Sequence, residues 1–266
     1  MAASKNAVFL IGNVGQDPEI RTTQDGKKIV SLSLATSEKW KDRASGERKE
    51  ATTWHSVVIF NPHFADIVAQ HVKKGAKIGV EGKLQTRSWT DQGNVTRYRT
   101  EIVLGQYTGN IMLLRDTGAS FNEASLLGCL GADPEIRTTG NGRKLATFRI
   151  ATSDVWTDRA SGQKKERTEW HTVTLFNDHL AGLADQYLKK GSAVLIKGKI
   201  TVEKWTDNDG NDRYSTKVVV GAYDGSMTLL GDSKGAAAPS EEDYGSTRGW
   251  GGTTADGYDL SDEIPF

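Results

Sequence analysis

Two stretches of this chain, Trp54-His55-Ser56-Val57-Val58-Ile59-Phe60 and Trp170-His171-Thr172-Val173-Thr174-Leu175-Phe176, set large rings at fixed spacing. In a strand successive side chains point to opposite faces. Trp54, Ser56, Val58 and Phe60 then share one face, and His55, Val57 and Ile59 the other. In the second stretch Trp170, Thr172, Thr174 and Phe176 stand against His171, Val173 and Leu175. A half-buried strand turns its aliphatic residues inward, which leaves the aromatics at both ends of the more polar, outward face. Rings along an open polar surface are stacking platforms for unstacked bases, each contributing about 1–3 kcal/mol without sequence preference. Trp89 and Trp205 share parity with Lys83 and Arg87 and with Lys197 and Lys199, which also places them outward. Trp40 and Trp156 sit where parity is silent. The competing reading is that these tryptophans are core or subunit-interface residues, because Trp is mostly buried on average.

Other chemistry is removed by an internal control. Val8 to Leu114 recurs 116 positions later as Ala124 to Leu230 without a gap and with roughly half of the positions identical. A repeat of this length is a domain duplication, since solenoid periods run about 20–50 residues. His55, His63, Asp66 and His71 have the residue types of a metal site or an acid–base group, but their counterparts are His171, His179, Gly182 and Tyr187. Half the set is lost, so no shared metal is expected. Gly12-Asn13-Val14-Gly15 opens like a phosphate loop yet lacks the following Lys-Ser/Thr, and no nucleophile elbow or dinucleotide fingerprint occurs. The sequence predicts a binding protein without cofactor or catalytic residue. Lys73, Lys74, Arg87 and Arg97, with Lys189, Lys190, Lys204 and Arg213, are the candidate phosphate contacts. Together they would make binding fall with salt, at roughly −0.7 per neutralised phosphate on a log–log plot.

The elements that must hold these residues are mostly strands. Val30, Leu32 and Leu34 alternate with serines, and Ala146, Phe148 and Ile150 alternate with Thr147 and Arg149, a period of two. Trp40 to Glu50, and Trp156 to Glu166 after it, read as long charged hairpin tips, followed by strands at Thr53–Phe60 and Glu169–Phe176. His63 to Val72 has helical spacing, with Phe64, Ile67 and Val68 on one face, and stops at Lys73-Lys74-Gly75. Lys77–Trp89 and Arg97–Gln106 complete five strands around a polar loop. Five strands with a helix between the third and fourth is the order of an OB barrel. The predicted fold is therefore all-β with one short helix per domain: barrels at 1–114 and 121–230, a linker at 115–120, and a tail at 231–266. So short a linker reaches at most about 20 Å, which predicts adjacent barrels.

The formal net charge of zero conceals a division. From Gly231 onward eight acidic residues face only Lys234 and Arg248, a net of −6 that leaves +6 for the rest. Of that excess +5 lies in Lys5–Leu114 and +1 in Phe121–Leu230. A basic body with an acidic tail suggests a polyanion for one and a different partner for the other. The tail is rich in Gly, Ser, Thr, Asp and Ala, a composition expected to be disordered in isolation. Cys129 stands alone and faces Asn13 in the repeat, so no disulfide framework is expected, and a reducing compartment is. The apolar run Ala7–Ile11 is too short for a signal peptide or membrane span.

Gly12-Asn13-Val14-Gly15-Gln16-Asp17-Pro18-Glu19, Thr53-Trp54-His55, Gly82-Lys83-Leu84, Trp89-Thr90-Asp91 and the terminal Asp262-Glu263-Ile264-Pro265-Phe266 resemble bacterial single-stranded DNA-binding protein (SSB), in family order. The resemblance implies OB folds that bind single-stranded DNA without sequence preference during replication, recombination and repair, in the bacterial cytoplasm at the nucleoid. The family's base-stacking aromatics match Trp40, Trp54, Phe60 and Trp89, and by repetition Trp156, Trp170, Phe176 and Trp205. Its subunit-contact histidine falls on His55 and His171. Most members carry one OB domain and assemble as tetramers. This chain resembles the tandem form, in which a homodimer presents four OB folds with two tails. The tip Asp262–Phe266, with Asp259 before it, is similar to the family's docking peptide for replication, recombination and repair proteins. A free carboxylate beside an aromatic ring suits a basic-rimmed apolar pocket. Two other readings of the barrels remain: a protein-interaction scaffold, and RNA binding.

Overall fold

The computed structural model describes residues 4–232 apart from 25, 43–44, 91–95, 117, 141, 158–161, 207–209 and 211. The first unit comprises β1 (Lys5–Val14), β2 (Glu19–Thr22), β3 (Lys28–Lys41), β4 (Arg48–Ile59), α1 (Pro62–His71), β5 (Lys77–Thr90), β6 (Thr96–Leu104) and β7 (Asn110–Leu114). The second follows in the same order: β8 (Phe121–Leu130), β9 (Glu135–Thr138), β10 (Lys144–Thr157), β11 (Lys164–Leu175), α2 (Asp178–Tyr187), β12 (Ser192–Thr206), β13 (Asp212–Val220) and β14 (Ser226–Asp232).

In each unit five long strands close on themselves. β1 pairs with β3 and β5, β3 with β4, β4 with β6, and β6 with β5. Among the described residues only the β4–β6 pairing, and β11–β13 in the second barrel, is parallel. This is the expected OB order, with the helix between the third and fourth long strands. Beyond the five strands, β2 pairs with β3 and β7 with β5, and β9 and β14 repeat them. Both ends of the expected hairpin tips belong to strands, since β3 runs to Lys41 and β4 starts at Arg48.

Period-two alternation sets the core. Val8 and Leu10, Val30, Leu32 and Leu34, Val57 and Ile59, and Ile78 and Val80 all point inward and are buried. One end of the barrel is plugged by α1, whose Ala65 and Val68 are buried. Asn61 caps that helix by accepting from Phe64 N at 3.2 Å, while its amide donates to Gln106 O at 2.8 Å. Asn177 does the same for α2, accepting from Leu180 N and donating to Ala222 O. At Gly12 the strand comes so close to its neighbour that a Cβ would strike Ala35 O, and at Gly128 it would strike Ala151 O. Glycine lets β1 leave its flat partners and turn onto β3.

The two barrels share one sheet. Lys5–Ile11 of β1 pairs antiparallel with Phe121–Leu127 of β8, producing a six-stranded layer in the order β14-β12-β8-β1-β5-β7. The seam carries matched contacts 116 positions apart. Lys83 pairs with Asp154 at 2.7 Å and Lys199 with Glu38; Ser153 N donates to Ser4 Oγ, and Ser37 N to Ser120 Oγ, both at 2.8 Å. The units are thus related by an approximate twofold. Among the described residues no helix is long and apolar enough to cross a membrane.

Candidate nucleic-acid interface

On β4 the inward face carries His55 and the outward face Trp54. His55 is buried, its Nε2 lying 2.8 Å from Thr36 Oγ1; His171 and Thr152 Oγ1 repeat the pair at 2.8 Å. Burial lowers both imidazoles from the usual 6.5 to about 4. The structure thus places both histidines inside their own barrels. His63 and His71 are exposed near the two ends of α1, and Asp66 pairs with Lys28 at 2.7 Å, so the four metal-type residues do not converge.

The outward rings are unequal. Trp40, Trp54, Trp156, Phe176 and Trp205 are exposed, whereas Phe60 and Trp89 are half-buried. Trp170 corrects the expectation of outward exposure for every ring: it is 7% exposed, against 54% for Trp54. Both indoles lie on a glycine, since a Cβ at Gly15 or Gly131 would collide with the six-membered ring of Trp54 or Trp170. One difference is the diagonal neighbour on the adjacent strand. Ser33 stands beside Trp54, while its counterpart Arg149 lays its guanidinium 5.9 Å from the Trp170 ring centroid. Cation–π contact favours that placement. Trp89 is treated likewise by Arg87, 5.6 Å from the ring centroid, a position that becomes Glu203 beside the exposed Trp205.

Opposite each distal tryptophan the register sets a cation: Trp40 faces Lys49, Trp156 faces Lys165, Trp89 faces Arg97 and Trp205 faces Arg213. Directly opposed residues share a face, so ring and charge form one surface. Lys49 and Lys165 escaped the sequence reading, as did the exposed Tyr98 and Tyr214. All four survive the repeat, and that signal could have found them.

Several of the candidate phosphate contacts are held by carboxylates, Lys189 among them, 4.0 Å from Asp133. Arg87 is held 3.2 Å from Glu101, a carboxyl that burial raises despite Arg87 and Arg99 nearby. In the second unit this pair is reversed, with Lys217 meeting Glu203 at 2.5 Å. Lys204 pairs with Asp212 at 2.7 Å. Lys73, Lys74, Lys189 and Lys190 are exposed beyond the helix ends, where Asp17 and Asp133 accept from the backbone N–H of Lys74 and Lys190. Arg97 and Arg213 are half-buried beside their tryptophans. Asp262, Glu263, Ile264, Pro265 and Phe266 lie outside the described residues, as does Asp259.

Two OB barrels joined through one sheet, each turning aromatic rings and opposed cations outward, define a tandem OB-fold chain with a basic, aromatic outer face. The chain belongs to the single-strand binding protein family, whose model matches residues 5–108 and again 121–226. It is 56% identical over 118 residues to the single-stranded DNA-binding protein of Rhizobium meliloti (strain 1021), covering 44% of this chain and 68% of that protein. The Rickettsia prowazekii (strain Madrid E) protein is 53% identical over 122 residues, 46% of this chain and 80% of that one. Among solved structures, the wild-type single-stranded DNA binding protein from Thermus aquaticus superposes with a TM-score of 0.63 at 26% identity, covering 91% of this chain and 99% of that chain. A deletion mutant of it gives 0.65 at 27%, over 86% and 97%.

Proposed function

We propose that the chain binds single-stranded DNA irrespective of sequence, by stacking bases on its outward rings and drawing phosphates to the adjoining cations, and that it protects the strand without chemical turnover. One observation carries this reading: rings opposed by cations recur in both barrels at identical register. Every base has a π-face, so rings select for unstacked bases rather than for a sequence. Poly-dT should strongly quench the tryptophan fluorescence of the full chain. Trp54→Ala combined with Trp170→Ala should weaken binding, and unchanged affinity would refute the assigned surface. Matched DNA and RNA oligonucleotides in competition separate the two polymers, and binding to neither would favour a protein scaffold.

The proposed division of labour gives residues 1–114 and 121–230 the strand, and 231–266 the recruitment of replication, recombination and repair proteins. Deleting Asp262–Phe266 should then spare DNA affinity and abolish partner capture. The proposed assembly is a homodimer. Its support is the outer face of the six-stranded layer, where Phe9 and the exposed Phe121 meet with ring centroids 5.3 Å apart and planes tilted by 48°. A subunit-contact role for His55 and His171 is proposed from the family membership alone. Light scattering at twice the chain mass is the expected result. The proposed location is the bacterial cytoplasm at the nucleoid.

A further inference from the structure

The duplication makes one residue conspicuous. Trp54 and Trp170 sit on equivalent glycines and face equivalent alanines, Ala35 and Ala151, across the strand pair. Their backbones and undersides match. Yet one ring is open and the other closed, and the side chain that lies over the closed one, Arg149, replaces Ser33. A guanidinium is planar, carries its charge permanently and is weakly hydrated, so it can lie flat on an indole where a nucleobase would stack.

We propose that Arg149 is a displaceable cap on the second barrel's stacking platform, so that a strand engages the first barrel at Trp54 before it reaches Trp170. The inference rests on the base-stacking reading above. A base arriving at Trp170 must take the ring face from the guanidinium, and the freed guanidinium can then meet the phosphate of that same nucleotide. The first barrel has no such step, because a serine hydroxyl cannot cover an indole. The excess of positive charge in the first unit, +5 against +1, steers the strand in the same order.

The test uses the full chain and begins without DNA. Acrylamide quenching is compared in the parent, Arg149→Ser, and each of these with Trp170→Phe, so that the difference isolates the Trp170 signal. The cap requires that signal to be sheltered in the parent and to become as quenchable as that of Trp54 in Arg149→Ser. A Trp170 signal equally sheltered in both overturns the proposal. Arg149→Ser should fold, since the first barrel carries serine there. The second arm titrates a dT oligomer of about ten nucleotides, within the span of one OB fold, into Trp54→Ala chains at high salt, where lost phosphate attraction matters least. Removing the cap should tighten binding about fivefold, the scale of one cation–π contact. The gain should vanish when Trp170→Ala is added. Unchanged or weaker binding in Arg149→Ser would make Arg149 an ordinary contact and overturn the cap. If Trp170→Ala had no effect with or without Arg149, base stacking itself would fail, while the acrylamide result would still judge the cap.

Discussion

An imidazole whose pKa falls to about 4 is neutral throughout the physiological range, and both barrels bury one. The unfolded chain restores the ordinary value of 6.5, so between pH 6.5 and 4 the unfolded state binds the extra protons. Stability from these histidines is complete above 6.5 and is lost as pH falls toward 4, by on the order of 3 kcal/mol for each. Glu101 and Glu169 act oppositely: burial raises both, so the folded chain takes their protons first on acidification. Urea midpoints from pH 8 to 4 should therefore be compared between the parent and His55→Gln with His171→Gln. The parent should lose more stability across pH 6.5 to 4, and parallel curves would disprove the neutral-core assignment. Gly15 supports a second residue-level prediction. A methyl group there would push into the Trp54 ring and Ser33 Oγ at the surface, not into the core. Gly15→Ala should cost about tenfold in dT affinity, a part of one stacking contact, while the melting temperature barely moves.

Strands are legible where one face is buried, because alternation then has to be written into the residues. β3 and β4 were read that way, and the helix was legible from its apolar spacing and the Lys73-Lys74-Gly75 stop, where Gly75 adopts a φ of 85°. The short strands were not. β2 is largely exposed on both faces, and its Glu-Ile-Arg-Thr has no period to detect. The unequal tryptophans are illegible too, because period-two alternation describes one strand at a time and Arg149, which lies against Trp170, belongs to the neighbouring one. A third device became visible only in coordinates. β1 meets β5 as far as Val8↔Gly82, and beyond that point the Asn6 amide continues the ladder, donating to Leu84 O at 2.7 Å and accepting from Leu84 N at 2.9 Å. Asn122 bridges Ile200 identically, at 2.8 and 3.0 Å. Asn6→Ala leaves two partly buried backbone groups without that partner, so chemical denaturation should show a loss of about 1–3 kcal/mol. Asn6→Asp keeps the acceptor for Leu84 N but sets a carboxylate oxygen against Leu84 O, so it should lose stability as well; variants as stable as the parent would mean that the bridge is incidental.

At the scale of the whole chain, the two barrels are joined by an internal strand pairing. The β1–β8 ladder runs through seven registered pairs, from Lys5↔Leu127 to Ile11↔Phe121, and continues the sheets of both barrels. Two serine bridges and two lysine–carboxylate pairs repeat across it. Thr86 N adds a bond to Glu169 that the first copy, with Thr53 at that position, has no carboxylate to repeat. The peptide that connects β7 to β8 supplies one of these contacts, the Ser120 hydroxyl, while the seven-pair ladder lies wholly outside it. That segment serves to raise the local concentration of one barrel near the other, an effect of millimolar order for a short tether. A protease site placed within residues 115–120 of the full chain tests whether the ladder suffices. After cleavage the halves should co-elute at micromolar concentration and part only on dilution or in denaturant. Lys83→Glu with Lys199→Glu should bring that separation to higher concentration by setting like charges against Asp154 and Glu38. Halves that part at once on cleavage would instead assign the joint to the tether, and the shared sheet to proximity alone.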